Sequence, residues 1–200
     1  MSHLWRTCGG CALKQETAPP GIWPDLRDAR QRLLLRQWAL WRDGLRPPPR
    51  SRLDPALIKP CLPDFWIFRI ADNGNDLVCT LAGENIRDAW GHSIIGGRPV
   101  DLWGAGDGDL VRERLLRAAR EPALIHGRTG ITPKTGASKL AQRLMLPLCD
   151  DAGAAYGVMG MTQFVYDHSR DALPTGPSEA PTLFSTFYPC ASLPATAPDA

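Results

Sequence analysis

Two thiols spaced as in Cys8-Gly-Gly-Cys11 can reach one zinc ion together or close a redox-active loop, because a two-residue gap brings the sulfurs to one side of a turn. A structural zinc site needs four ligands. His3 is a third donor, but no second Cys-x-x-Cys and no His pair follows nearby, so no metal is assigned. Covalent haem attachment needs a histidine directly after the second cysteine, where Ala12 stands. Cys8, Cys11, Cys61, Cys79, Cys149 and Cys190 are read as reduced thiols, since a cytosolic chain does not keep a disulfide framework. His92 and His126 are the histidines expected inside the folded region; a neutral imidazole can ligate haem iron or meet a ligand's acid group, and its charge responds near neutral pH. Nucleophilic catalysis finds no frame: Gly91-His-Ser-Ile-Ile95 lacks the second glycine of a nucleophile elbow, and neither a Walker loop nor His-Glu-x-x-His is present. The chain is expected not to be an enzyme.

Eight arginines lie between Arg27 and Arg52, offset by Asp25, Asp28 and Asp43. Guanidinium forks suit phosphates, and Arg46-x-x-x-Arg50 resembles the opening arginine pair of PilZ domains, which bind cyclic dinucleotides. Ser93 and Gly96 fit that family's second motif, but Gly91 occupies its acidic or amide position. The arginines are therefore read as a solvated helix face whose stems cover apolar surface. A net charge of +2 is too small to imply a nucleic-acid partner. No apolar run approaches the about 20 residues of a membrane span, and the opening residues lack a signal-peptide core, so the expected location is cytoplasmic.

With 44% hydrophobic and 22% charged residues, the chain is expected to build one core plus tails. Pro24 to Asp43 reads as an amphipathic helix, with Leu26, Ala29, Leu33, Leu34, Trp38, Leu40, Trp41 and Leu45 on one broad side and Gly44 as a stop. Arg46-Pro-Pro-Pro-Arg50 cannot be helical. Asp54-Pro55 caps and opens a short helix that Pro60 and Pro63 end. Phe65 to Ile70 and Asp76 to Leu81 form a hairpin about Asn73-Gly74. Short helices follow over 83–91 and 109–120, then strands over 123–131, 139–149 and 156–166. From His168 onward, a Pro/Ala/Ser-rich tail is expected to be mobile, except that Leu183-Phe-Ser-Thr-Phe-Tyr188 can dock on the domain or a partner.

Trp38, Trp41, Pro49-Arg-Ser-Arg-Leu-Asp-Pro55, Leu62-Pro63, Leu81-Ala-Gly83 and Gly97-Arg98 together resemble the landmarks of short single-domain PAS-like regulatory proteins of bacteria, over residues 30 to 166. Cys79-Thr80 and Glu84 depart from that pattern, and they stand beside the helices that flank the cavity in such domains.

The resemblance implies an α+β fold, a five-stranded antiparallel sheet with helices on one face, preceded by the amphipathic helix. Its expected domain is 24–167, flanked by a flexible amino-terminal segment 1–23 and the tail 168–200. It also implies a ligand cavity lined by Asn85, Trp90, His92, Trp103, His126 and Met159. Leu34, Trp38 and Trp41 are expected at an interface, where the long helix packs on the sheet or on a second subunit of a homodimer. The implied function is a sensory module that docks a signalling protein, modulated by a small ligand. The alternative is an obligate sensor of haem, flavin or a cyclic dinucleotide; no cofactor is identified.

Overall fold

The computed structural model describes residues 7–8, 11–42, 44, 46–131, 139–166 and 183–198. Its strands are β1 (Thr7–Cys8), β2 (Cys11–Thr17), β3 (Phe65–Ala71), β4 (Asp76–Ala82), β5 (Ala123–Ile131), β6 (Lys139–Cys149), β7 (Ala155–Tyr166) and β8 (Leu183–Pro189). Its helices are α1 (Ala29–Trp41), α2 (Glu84–Trp90), α3 (Pro99–Trp103) and α4 (Asp107–Arg120), with a 3-10 segment at Pro55–Asp64. The strand order is β1-β2-β8-β5-β6-β7-β3-β4. Strand β1 pairs only with β2, so among the described residues the continuous sheet runs from β2 to β4.

The five strands expected from the sequence form the stretch β5-β6-β7-β3-β4 with antiparallel pairing throughout. The expectation of five strands falls short because both flanks join the sheet. Strand β8 adds antiparallel to β5, and β2 adds parallel to β8, making the sheet mixed. Without β8 the edge of β5 would present a row of unpaired backbone groups; Phe187 and Tyr188 are buried in their place on it. The segments assigned as a flexible beginning and a mobile tail therefore contribute strands, and Ala18 N–H to Phe187 O at 2.8 Å and Gly21 N–H to Ser192 O at 2.8 Å extend the contact between them. Residues 167–182 lie outside the described part.

Helices cover both faces, not one. On β6, Leu144, Leu146 and Leu148 belong to the apolar cluster that holds Leu34, Leu35 and Trp38 of α1, whereas Met145 belongs to the cluster that holds Leu115 and Leu116 of α4. Alternation along a strand sends successive side chains to opposite faces, which puts α1 and the 3-10 segment on one side and α2 to α4 on the other. Strand β3, covered on both faces beside the edge strand β4, accordingly buries Phe65, Trp66, Ile67 and Phe68 in succession.

Helix α1 begins later than the expected Pro24. The Asp28 carboxylate accepts from the backbone N–H of Arg30 and Gln31 at 2.9 and 3.0 Å, capping donors that the first turn leaves without partners. Trp38 is fully buried and its indole N–H donates to Pro147 O at 2.9 Å. Pro147 lacks an amide hydrogen, and it sits on β6 past the last β5 pair at Met145, where no ladder donor is needed. Asp54 caps Ala56 N–H at 2.9 Å, as its position before Pro55 implied. Pro60 and Pro63 do not end that segment, which continues as 3-10 turns to Asp64 with a non-helical break at Ile58. The β3–β4 turn is at Asp72–Gly74, with Asn73 and Gly74 at φ 53° and 97°.

Candidate functional site

The face under α2 to α4 combines aromatic area with a band of polar side chains. Register defines the rows: Phe187, Ile125, Met145, Gly160, Trp66 and Ala82 stand opposite one another from β8 to β4. Gly160 has a steric reason. A Cβ there would meet the Trp66 indole and would lie 2.6 Å from Leu144 O, so the missing side chain lets the indole lie flat across the sheet. The Trp66 N–H donates to Thr162 Oγ1 at 2.9 Å, buried.

The next row is Ser185, Gly127, Arg143 and Thr162. Arg143 is half-buried in this row. Burial pushes its guanidinium down to about 10, which still leaves it a cation at neutral pH. Arg114 of α4 is buried, as are its helix neighbours Leu115 and Ala118. Thr162 and Ser185 are buried as well.

Helices α2 and α3 supply the aromatic wall. Trp90 meets His92 edge-on at 6.4 Å between ring centroids and meets Trp103 at 5.1 Å; Trp103 reaches Phe68 at 6.2 Å, which reaches Trp66 at 5.6 Å. These rings form one continuous series from the exposed His92 to the buried Trp66 on β3. Local structure fixes it. Gly91 ends α2 in the left-handed conformation, φ 74°. Cys79 N–H to Gly97 O at 3.0 Å and Gly96 N–H to Cys79 O at 2.8 Å bind the following loop to the edge of β4. Arg98 then pairs with Asp72 and, at 3.3 Å, with Asp76, holding the start of α3 to the hairpin. Gly108 allows close crossing of α3 and α4, since a Cβ would lie 2.5 Å from Val100 Cα.

Of the six residues expected to line a cavity, Trp90, His92 and Trp103 come together. Met159 and His126 do not: Met159 lies in the cluster on the α1 side, and His126 shares that side with Leu124, two positions away on β5. Burial lowers the His126 pKa, with Arg128 adding to the effect and Asp25 opposing it. Asn85 is exposed on α2, and its amide N–H donates to Asp64 Oδ1 at 2.8 Å. Asp64 is buried and also receives Arg30 of α1 at 2.5 Å. One carboxylate therefore ties α1 to α2 across the edge of the fold.

Of the two partners expected for Leu34, Trp38 and Trp41, the sheet or a second subunit, the structure packs them on the sheet. All three are buried in this chain's own core, at 0%, 0% and 9% exposure, whereas Leu40, expected on the same side of the helix, is exposed. The arginines of this region also do more than solvate a face. Arg32 donates to Leu26 O and Arg27 O, Arg42 to Cys190 O and Arg52 to Trp41 O, and Arg42 stacks over Trp38 at 5.2 Å.

Cys8 and Cys11 pair in register across β1 and β2; their side chains, and His3, lie outside the described part. Among the described residues no group of His, Cys, Asp and Glu is arranged to hold a metal ion. Burial raises the thiol pKa of Cys61 and Cys79 to about 11 and of Cys190 to about 12.

Trp66, Phe68, Thr162, Arg114 and Arg143 were missed by sequence reasoning. Signals existed for both arginines. Arg143 alternates with Ala141 and Met145 on a strand whose other face is Leu144, Leu146 and Leu148, and Arg114 falls between Val111 and Ala118 on the apolar side of α4. A charge at an inward position of an apolar pattern marks a site or a buried partner.

No curated protein matches the chain. Among solved structures, VqmA bound to DPO is 15% identical at a TM-score of 0.45, covering 53% of this chain and 53% of that one. A Vibrio cholerae VqmA dimer structure gives 15% and 0.45, with 53% and 49% covered. The PAS domain of Bordetella pertussis BvgS gives 19% and 0.38, with 56% and 84% covered. The match spans about half the length of the VqmA chains. A family model described as PAS domain matches residues 26–163.

Proposed function

From the premise that this chain belongs to the PAS domain family, we propose that it is a cytoplasmic sensory module that binds a small molecule beneath α2 to α4 and passes its state to a protein partner without catalysis. The observation that carries this reading is the ring series His92, Trp90, Trp103, Phe68 and Trp66, which runs from the surface to buried polar groups. Ligand sites combine a mostly apolar wall with a few orienting polar groups in this way. Among the described residues no helix is long and apolar enough to cross a membrane.

Output requires a part that responds to the ligand. Helix α2 carries Trp90 at its end and Asn85 at its second position; Asn85 meets Asp64, which meets Arg30 on α1. A ligand that shifts α2 therefore bears on α1 through one buried carboxylate. Its leverage equals its difference in affinity for the two positions of α2.

Native mass spectrometry of the freshly purified protein, with its visible spectrum, tests the reading. An added mass that leaves on denaturation is the expected result. A visible band would make the ligand an obligatory chromophore. An empty protein that also gains no stability from a broad metabolite panel would refute ligand sensing and leave a docking module.

A further inference from the structure

Arg143 lies between Gly127 of β5 and Thr162 of β7 in the sheet register. Gly127 contributes no side chain to that row, so the space on one side of the guanidinium is left to Arg143 itself. On the other side, Thr162 Oγ1 accepts from the Trp66 indole. A hydroxyl whose oxygen already accepts still has its own proton to donate. Two donor-bearing side chains, Arg143 and Thr162, thus leave neighbouring strands as register partners on the face that carries Trp66. Arg114 is buried on the helix that packs over this face. Among the described residues no carboxylate forms an ion pair with Arg143.

A desolvated cation is costly unless an anion meets it. A carboxylate matches the guanidinium fork with two parallel hydrogen bonds and has lone pairs left for a hydroxyl. Resting on the ligand-binding reading above, we propose that this space takes a small organic carboxylate, its acid group held by Arg143 and Thr162 and its flat apolar body against Trp66. The aromatic series toward Trp103 then favours planar over branched acids.

The test is a thermal-shift and calorimetric comparison of acids with their neutral amides: benzoate with benzamide, phenylacetate with phenylacetamide, indole-3-acetate with indole-3-acetamide. The expected result is that at least one acid raises Tm in a dose-dependent way while its amide does not. Arg143→Gln should weaken that binding by about tenfold or more, the loss of a charge-assisted hydrogen bond. Equal response to acid and amide would overturn the anion assignment while ligand binding stood, as would an acid response that survives in Arg143→Gln. Failure of every acid would overturn it as well, and native mass spectrometry would then judge the ligand-binding reading separately. Arg143→Met supplies a check without ligand. The expected outcome is unchanged or higher stability, since a desolvated charge is removed; a large loss of stability would show that Arg143 is already paired within the chain, and the assignment would fall.

Discussion

Trp38→Ala should nearly unfold this protein, and the structure says by how much. Trp38 is fully buried among Leu34, Leu35, Leu146 and Leu148, so truncating it loses the transfer energy of a large ring and leaves a cavity, together about 3 to 5 kcal/mol. The same change strips Pro147 O of its donor, leaving a buried carbonyl at a further cost of about 1 to 3 kcal/mol. A combined loss of about 4 to 8 kcal/mol removes most or all of the stability of a domain at the lower end of the usual range of about 5 to 15 kcal/mol. Trp38→Phe separates the parts: it keeps most of the ring and loses the N–H, so its cost should be about 1 to 3 kcal/mol. Urea unfolding followed by far-ultraviolet circular dichroism measures both, with the slope expected to stay constant. The midpoints should not move with protein concentration, because the contacts of Trp38 lie within one chain; an interface residue would make them concentration-dependent. A cost below about 1 kcal/mol for Trp38→Ala, far under the core range, would refute the docking of α1 on this face.

Further expectations concern the tie, the site and the pH response. Asp64→Asn keeps the shape but removes the charge that Arg30 meets at 2.5 Å; it should cost about 1 to 3 kcal/mol. Because Arg30 is partly exposed, the lower end applies, and a double-mutant cycle with Arg30→Gln should show coupling above about 0.5 kcal/mol. Gly160→Ala should displace the Trp66 indole, cost about 1 to 3 kcal/mol in chemical unfolding and abolish the Tm response to the acid probes. His126 has its pKa lowered on folding, mainly by burial, so the unfolded chain binds more protons and stability falls as pH drops through the unfolded value near about 6.5. His126→Asn should flatten the acid-side slope of unfolding free energy against pH; an unchanged slope would rule out that source.

Local signals carried much of the fold. The hairpin was legible because Asn73 and Gly74 tolerate positive φ and the flanking residues are β-branched or aromatic. The strands at 123–131 and 139–149 were legible because their apolar runs end at Pro, Gly or Asp clusters. The Asp54-Pro55 cap was legible because a carboxylate and a fixed φ act within a few residues. What was misread needed partners far along the chain. Strand β8 looked like part of a tail because its neighbours are Pro, Ala, Ser and Thr, and its place depends on an edge of β5 some sixty residues away.

The site divided the same way. Trp90, His92 and Trp103 stand close in sequence around two short helices, so their meeting followed from local geometry. Alternation along a strand does fix that His126 and Ile125, or Met159 and Val158, point to opposite faces. It does not say which face lies under α4 and which under α1. That assignment, the burial of Arg114, the inward place of Arg143 and the tie from α1 through Asp64 to α2 were decided only when the sheet was enclosed between two layers of helix. The sequence sets a periodicity, whereas packing selects the side, because the energy that distinguishes the faces comes from contacts absent until the chain is folded.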